Sequence, residues 1–84
     1  MVYFVYILQS GSDHSFYIGY TSDLNRRLEE HNSGRTRYTA QKRPWAVVYY
    51  EELKTKTDAL KREKFLKKQK NRAFYQKLID TYKP

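Results

Sequence analysis

Residues 5–32 carry the sequence VYILQSGSDHSFYIGYTSDLNRRLEEHN, and this stretch decides the fold. Two segments rich in aromatic and β-branched residues, 3–9 and 15–20, favour strands. The Ser-Gly-Ser-Asp-His sequence between them is typical of a turn. The pattern therefore predicts a β-hairpin that leads into the charged residues after it.

The position of Gly11 sets the expected register of this hairpin. A two-residue loop with glycine first suits a type II′ turn, and such a loop places Tyr6 directly opposite Tyr17. Because cross-strand partners share a face of the sheet, both tyrosine hydroxyls are expected on one side. Gly19 marks either a close approach or a bulge. The other face then carries four apolar side chains as a core surface: Val5, Ile7, Phe16 and Ile18.

The segment after the hairpin is predicted to be an amphipathic helix. Thr21 and Ser22 are candidate N-caps, and Asp23 suits the positively polarised first turn. Leu24 and Leu28, four residues apart, mark the face of the helix that packs against the sheet.

This helix is expected to treat its two adjacent arginines differently. At about 100° per residue, Arg27 and His31 fall beside the leucine stripe. Arg26 falls on the other side, with Glu29 and Glu30. A guanidinium beside an apolar stripe is costly unless it is paired or has a function. Arg27 is therefore a candidate functional residue.

Length and composition limit the class of protein. Eighty-four residues predict a single domain, 1–84, with a small core. The absence of cysteine excludes disulfides and thiolate metal sites. The sequence has no signal-peptide pattern and no apolar run of membrane-spanning length. We therefore expect a soluble, cytoplasmic protein that does not bind membranes.

The net charge of +8 is concentrated in two segments, 35–43 and 54–72. The first contains no acidic residue, and the second contains nine basic residues against two acidic ones. Basic clusters interleaved with tyrosine are typical of a phosphate-binding surface. A solvated helix face whose Lys and Arg stems cover apolar surface is the alternative. The candidate nucleic-acid contacts are Arg35, Arg37, Lys42, Arg43, Lys61, Lys64, Lys67 and Lys68.

The second half of the chain adds a third strand and two helices. Residues 33–39 are expected to form a loop, with Gly34 as the C-cap of the preceding helix. Residues 45–53 (WAVVYYEEL) are predicted to be a strand, and their apolar centre suits burial on both faces. Asn71 is the expected N-cap of a last helix over 72–81.

The first of these two helices is expected to begin at Thr55. It contains a carboxylate in an unexpected position. Glu63 lies in the middle of an apolar arc formed by Ala59, Leu60 and Leu66. A carboxylate there requires a cation, a hydrogen-bond network or a metal. A salt bridge to Arg27 or to a lysine is one alternative, and a metal is the other.

Together these residues resemble the signature of the GIY-YIG nuclease family. Tyr-Ile-Gly at 17–19 reproduces the second half of the motif. Tyr6 keeps the tyrosine of the first half, where Phe-Val at 4–5 replaces Gly-Ile. Arg27 follows the second tyrosine by ten residues, a spacing similar to that of the family, and His31 follows in NRRLEEHN. The resemblance extends over nearly the whole chain, to the family's small stand-alone members.

The resemblance implies an α+β fold with a small three-stranded antiparallel sheet flanked by helices, in the order β-β-α-β-α-α. It implies that Glu63 holds one divalent metal, Mg²⁺ or Mn²⁺, and that Arg27 contacts the scissile phosphate. Either Tyr6 or Tyr17 takes a proton from water while the other orients it, and His31 supports the water or the base. The sequence does not decide which tyrosine is the base.

The activity implied is metal-dependent endonucleolytic hydrolysis of DNA phosphodiesters, in DNA repair or in processing of structured DNA. DNA is the expected partner, with RNA left open, and the oligomeric state is undetermined. Two alternatives remain at this point. One is a nucleic-acid-binding module with little activity, and the other is a basic module that depends on a protein partner.

Overall fold

The computed structural model describes residues 1–34 and 37–82. Within these residues, three strands and four helices follow in the order β1 (Tyr3–Ser10), β2 (Phe16–Thr21), α1 (Leu24–Asn32), α2 (Arg37–Ala40), β3 (Trp45–Leu53), α3 (Lys56–Gln69) and α4 (Arg72–Thr81). The expected α+β class and element order are confirmed. The four-residue α2 is an addition, in a segment that was predicted to be loop as far as Thr39.

The sheet has the strand order β2-β1-β3, and both pairings are antiparallel. β1 is therefore the central strand, and its residues from Val5 to Leu8 are buried. The expectation that β3 is buried on both faces is wrong, because β3 lies at an edge of the sheet. Ala46 and Tyr50 of this strand are exposed.

The hairpin loop is longer than predicted. The Ser10 N–H donates to the Ser15 carbonyl at 2.9 Å, so four residues form the loop. His14 supplies its left-handed residue, with φ of 63°, and Gly11 has no positive φ. The Ser10 hydroxyl accepts from the backbone N–H of Ser12 at 3.0 Å and of Asp13 at 3.2 Å. Side chains that bond the nearby backbone therefore stabilise a wider turn than glycine alone would indicate.

The longer loop changes the strand register but does not change the face of the sheet on which each side chain lies. Tyr6 pairs with Gly19, and Tyr17 pairs with Leu8, so the predicted direct pairing of the tyrosines is wrong. The shift amounts to two residues, and side chains alternate faces with a period of two. Both tyrosines therefore still lie on the same face of the sheet.

The two faces of the sheet carry separate apolar clusters. On one face, the predicted core surface packs with side chains of α3 and α4: Val5, Ile7, Ile18, Ala59, Leu66 and Tyr75, with Phe16 against them. On the other face, the leucines of α1 pack against the sheet as predicted: Leu24 and Leu28 with Tyr6, Leu8, Tyr17 and Trp45. The tyrosine pair is thus on the face that α1 covers.

The N-cap of α1 is Asp23, whose carboxylate accepts from the Arg26 N–H at 3.1 Å. Neither Thr21 nor Ser22 caps the helix. The Thr21 hydroxyl instead accepts from the Asp23 N–H at 3.1 Å and shapes the turn before the helix. Three adjacent polar residues each suit an N-cap, and the end of β2 decides which one is used.

The other helix ends largely follow the sequence. Thr55 caps α3 and Asn71 caps α4, as predicted. The C-cap of α1 is Ser33 rather than Gly34, and Gly34 follows it with φ of 85°. Of the helices formed by the described residues, none is both long enough and apolar enough to cross a membrane.

Candidate active site

The centre of the candidate site is the hydroxyl of Tyr6. The ring is buried on the face of β1 that α1 covers. The Arg27 Nε–H donates to the hydroxyl at 3.4 Å, and His31 Nε2 lies 3.3 Å from the same oxygen. One turn of α1 separates these two partners, so the helix brings both side chains to β1. Three of the four predicted catalytic residues therefore meet at one atom.

Tyr17 lies beside this group. Its ring contacts His31 edge to face, with ring centroids 4.7 Å apart. Trp45 and Tyr38 also contact the Tyr17 ring, at centroid distances of 6.1 and 6.3 Å. Tyr17 is less deeply buried than Tyr6. The structure therefore brings all four predicted catalytic side chains together.

Gly19 allows the two tyrosines to come this close. A Cβ at this position would lie 2.5 Å from the Tyr6 hydroxyl oxygen and 3.3 Å from Cε1 of Tyr17. The first of these distances is too short for any real contact, so a side chain at position 19 would displace the hydroxyl. Of the two roles open from the sequence, the close approach is the one observed.

The two adjacent arginines are placed as the helical phase predicts. The side chain of Arg27 is 36% exposed, against 74% for Arg26. Arg27 Nη1 donates to Glu30 Oε1 at 3.0 Å, which fixes the second end of the guanidinium. This partner was not predicted from the sequence, although the i,i+3 spacing of Arg27 and Glu30 is a known signal for a helical ion pair.

Burial and hydrogen bonding set the charges of the group. Burial raises the pKa of Tyr6 to about 12, although the hydrogen bond from Arg27 opposes the rise. The same hydrogen bond is the main cause that raises the pKa of Arg27. Burial, assisted by the charge of Arg27, lowers the pKa of His31. At neutral pH the group is therefore a neutral phenol, a cationic guanidinium and a neutral imidazole.

The orientation of the His31 proton follows from an unpartnered atom. Nδ1 of His31 is buried, and no described residue forms a hydrogen bond with it. A bare acceptor nitrogen is a smaller penalty there than a buried N–H without an acceptor. This favours the tautomer in which Nε2 carries the proton and donates it toward the Tyr6 oxygen. That oxygen then accepts from both Arg27 and His31.

Glu63 lies on α3, which packs against β1 and β2 with its buried side chains on the face opposite to Tyr6. Its side chain is 17% exposed. Its charge contributes only slightly to the raised pKa of Tyr6, and the surface cavity that Glu63 lines includes none of the four predicted catalytic side chains. Among the described residues its ion pair is with Lys67 at 3.6 Å, on the same helix. Arg27 pairs with Glu30 instead, so the lysine form of the predicted salt bridge is the one observed.

The apolar arc predicted around Glu63 is only partly correct. Ala59 and Leu66 are fully buried, but Leu60 is exposed. Leu60 instead lines a surface cavity of about 450 Å³ together with Glu63 and four lysines: Lys64, Lys67, Lys68 and Lys70. Three of these lysines were predicted nucleic-acid contacts, and Lys70 is an addition. Lys61 is exposed and does not line the cavity.

The other predicted basic contacts are more dispersed. Lys42 pairs with Asp13 at 3.1 Å. Arg43 donates to the carbonyl of Ala40 at 2.8 Å and so supports the segment between α1 and β3. Arg37 is exposed, and Arg35 lies outside the described residues.

An arginine, a histidine and two tyrosines on one sheet face are side chains suited to phosphate chemistry. The GIY-YIG catalytic domain matches residues 2–78. The chain therefore belongs to the GIY-YIG family, which is a family of nucleases.

Similar proteins agree with this assignment. A UPF0213 protein of Listeria innocua is 43% identical over 76 residues, which cover 87% of this chain and 83% of that protein. A UPF0213 protein of Staphylococcus aureus is 50% identical over 62 residues, which cover 73% and 74% of the two chains. The solution NMR structure of a UPF0213 protein from Bacillus halodurans is 33% identical, with a TM-score of 0.61. It covers 100% of this chain and 89% of that one.

The donor set is compatible with the divalent metal that the family generally uses. Within residues 1–34 and 37–82, no three His, Asp or Glu side chains come together to form a closed metal cluster. Mg²⁺ and Mn²⁺ do not need one, because they retain water molecules and bind phosphate oxygens. A mostly buried carboxylate such as Glu63, held by one lysine at 3.6 Å, is the kind of single ligand that such an ion takes.

Proposed function

We propose that this protein is a divalent-metal-dependent endonuclease that hydrolyses phosphodiester bonds of DNA, in repair or in processing of structured DNA. The observation that carries the proposal is the meeting of Arg27 and His31 at the Tyr6 hydroxyl, with Tyr17 in contact with His31. A merely structural tyrosine needs one hydrogen-bond partner. A second, cationic partner on a mostly apolar face is better explained by chemistry.

Arg27 is the proposed phosphate ligand. Tyr6 and Glu30 fix two edges of its guanidinium. Arg27 also lines a cavity of about 360 Å³ at the N-terminal half of α1. A guanidinium oriented in this way binds two phosphate oxygens and stabilises the charge that develops on them in the transition state.

Tyr17 is the proposed proton acceptor, and Tyr6 is the proposed orienting residue. A general base must reach the water that it deprotonates, and Tyr17 is the less buried of the two rings. Tyr6, with its pKa raised to about 12, keeps its proton at neutral pH. Because its oxygen already accepts from Arg27 and His31, the Tyr6 O–H is left to donate toward the reacting groups.

Glu63 is the proposed metal ligand. When bound, a divalent ion supplies charge neutralisation and Lewis-acid polarisation of the phosphate. The contribution of the protein is a mostly buried carboxylate that pairs with Lys67 at 3.6 Å. The lysines around Glu63 hold the nucleic-acid backbone near the ion, in the cavity that they line together.

A cleavage assay tests the proposal. The protein is incubated with single-stranded, duplex and branched DNA, and with RNA, in Mg²⁺, in Mn²⁺ and in EDTA. We expect cleavage of DNA in both metals and none in EDTA. Duplex binding should also weaken with salt, with a log–log slope near −4 to −5 if about five phosphates are contacted. Salt-dependent binding without cleavage of any substrate would contradict the nuclease proposal.

A further inference from the structure

The face of the sheet that carries the tyrosines is not evenly covered by α1. Leu24 and Leu28 pack against the cluster of Tyr6, Leu8 and Trp45. Outside this cluster, the rings of Phe4 and Tyr50 contact each other edge to face, with centroids 5.8 Å apart.

These two rings are not needed for the core. Neither ring belongs to the two apolar clusters formed by the described residues. Tyr50 is 38% exposed. Its ring also contacts the ring of Tyr82, at a centroid distance of 5.4 Å. Phe4 also stands where the family signature has glycine, so this aromatic surface is an addition to the shared motif.

Phe4 and Tyr50 form the aromatic wall of a cavity of about 380 Å³. The remaining lining residues are Ser22, Asp23, Leu24 and Asn25. The cavity therefore combines two rings with a hydroxyl, an amide and a carboxylate. We call it the aromatic pocket.

The aromatic pocket adjoins the proposed phosphate site. Tyr50 is the direct cross-strand partner of Tyr6, and such partners have Cβ atoms about 5 Å apart. The pocket also shares Ser22 and Asp23 with the cavity that Arg27 lines. A nucleotide whose phosphate contacts Arg27 therefore has its base, or that of its neighbour, within reach of the pocket.

The charge of the pocket selects the part of a nucleic acid that can enter. Its lining has one carboxylate, from Asp23, and no Lys or Arg. The pocket therefore has no cationic side chain to bind a phosphate, in contrast to the cavity beside Arg27 and the lysines around Glu63. An uncharged base presents a flat face to the rings and hydrogen-bonding edges to Asn25 and Ser22.

We propose that Phe4 and Tyr50 form a stacking platform for one unpaired nucleobase next to the scissile phosphate. The location of this base relative to the reaction rests on the proposed nuclease function. Its binding does not, and can be measured without metal. A base that is paired in a duplex cannot enter the pocket, so the platform favours substrates with single-stranded or frayed positions.

The test uses the full chain in EDTA and duplex DNA with a single-stranded overhang, which fixes the register of binding. Each overhang position is replaced in turn by an abasic site and, separately, by the fluorescent base 2-aminopurine. We expect one position at which base removal weakens binding about tenfold, as for loss of one stacked base. At that position the fluorescence of 2-aminopurine should fall on binding.

The variants Phe4→Ala and Tyr50→Leu should bind the intact overhang about tenfold more weakly than wild type and lose sensitivity to the abasic site. Phe65→Ala is the matched control, because Phe65 is an exposed ring on α3 that does not line the pocket. This control should behave as wild type. The substrate scan on wild-type protein keeps the test valid if either variant fails to fold.

Equal affinity of wild-type protein for intact and abasic overhangs at every position would overturn the platform. So would a Tyr50→Leu variant that loses self-association in sedimentation while its DNA binding is unchanged, because the occupant would then be a second copy of the chain. Cleavage in Mg²⁺ without base sensitivity removes the platform and keeps the nuclease. Base sensitivity without cleavage removes the nuclease and keeps the platform.

Discussion

Consecutive residues of β1 are buried in two very different environments. Val5 and Ile7 pack into an apolar cluster with Ala59 and Leu66. Tyr6 lies between them in sequence and faces the other way, where its hydroxyl accepts from Arg27 at 3.4 Å. Equal burial therefore has different consequences on the two sides of one strand.

The two faces of β1 contribute differently to stability and to chemistry. Apolar burial on the α3 side lowers the free energy of the folded state, at about 25 cal/mol per Å². Burial on the α1 side holds polar groups that gain less from leaving water, and it shifts their pKa values. Substitutions within the apolar cluster on the α3 side should therefore change unfolding, and substitutions of the polar groups of the proposed site should change turnover.

The largest expected effect is at Glu63, the proposed metal ligand on α3. Glu63→Gln keeps the shape and removes the charge, so metal-dependent cleavage should be lost. DNA binding should be equal or tighter, because a negative charge near phosphate is gone. Melting without metal should be equal or higher in temperature, because an i,i+4 pair such as Glu63–Lys67 contributes only about 0.3–0.5 kcal/mol.

A matched control for Glu63 is Asp58→Asn, which removes one exposed negative charge from the same helix. Cleavage by this control should be close to that of wild type. A Glu63→Gln protein that is destabilised but active would mean that the carboxylate serves only a salt bridge.

The tyrosine hydroxyls come next. Tyr17→Phe should lower turnover by about 10²- to 10⁴-fold, the usual range for a general base. Tyr6→Phe should lower turnover less, and both should melt close to wild type. The control on the opposite face is Tyr75→Phe, whose hydroxyl donates to the Leu66 carbonyl at 2.6 Å. This change should lower the melting temperature and leave turnover intact. Full activity of both site variants would refute the catalytic assignment.

The arginine pair provides the next contrast. Arg27→Ala should lower cleavage by about 10²-fold or more, as expected for loss of a donor to transition-state charge. Arg26→Ala removes the same charge from the solvent side of α1 and should only weaken DNA binding. Single-turnover cleavage at saturating enzyme separates the two effects. Equal losses in this assay would show that position within the helix does not matter.

The apolar face is tested by Leu66→Ala. A fully buried leucine replaced by alanine typically costs about 2–5 kcal/mol of unfolding free energy, which urea denaturation measures. Turnover per folded molecule should be unchanged. Leu60→Ala, at an exposed position of the same helix, should change stability far less. A large loss of turnover in folded Leu66→Ala would contradict the inference that the apolar face affects stability and not turnover.

The smallest expected effect is at alkaline pH. Burial raises the pKa of Tyr6 from 10 to about 12, so ionisation is easier in the unfolded chain. The stability that Tyr6 contributes is therefore complete below pH 10 and is lost as pH rises toward 12. Tyr49 on the other face has a pKa raised to about 12 as well. Between pH 10 and 12, the melting temperature should fall less steeply with pH in Tyr6→Phe and in Tyr49→Phe than in wild type. An unchanged pH dependence in both variants would contradict the assigned pKa shifts.

The periodicity of apolar residues predicted much of the fold, because it indicates which side of each strand or helix is buried. The strand at 45–53 and the helix at 72–81 have the predicted bounds. The leucine stripe of α1 placed Arg27 correctly. The predicted two-residue length of the hairpin loop was wrong. Side-chain hydrogen bonds of Ser10 and Asp13 stabilise a longer loop than the position of Gly11 indicates.

The failures have a shared physical cause. An apolar run in β3 suggested a central strand, but the order of strands in a sheet depends on long-range pairing, which a local pattern does not contain. The partner of Arg27, Glu30, depends on rotamers of two long side chains. The proximity of Gly19 to Tyr6 depends on a register that shifted by two residues. The candidate site residues could therefore be named from the sequence, and the distances between them could not.

The register of β1 with β2 limits which insertions and deletions the hairpin can tolerate. Side chains alternate across a strand, so the loop between β1 and β2 can change length in steps of two without moving Tyr17 to the apolar face. A change of one residue would turn the whole of β2 over, unless a bulge absorbed it. Among functional descendants of this chain, the pairing of β1 with β2 should therefore keep one parity, whatever the length of the loop over residues 11–14.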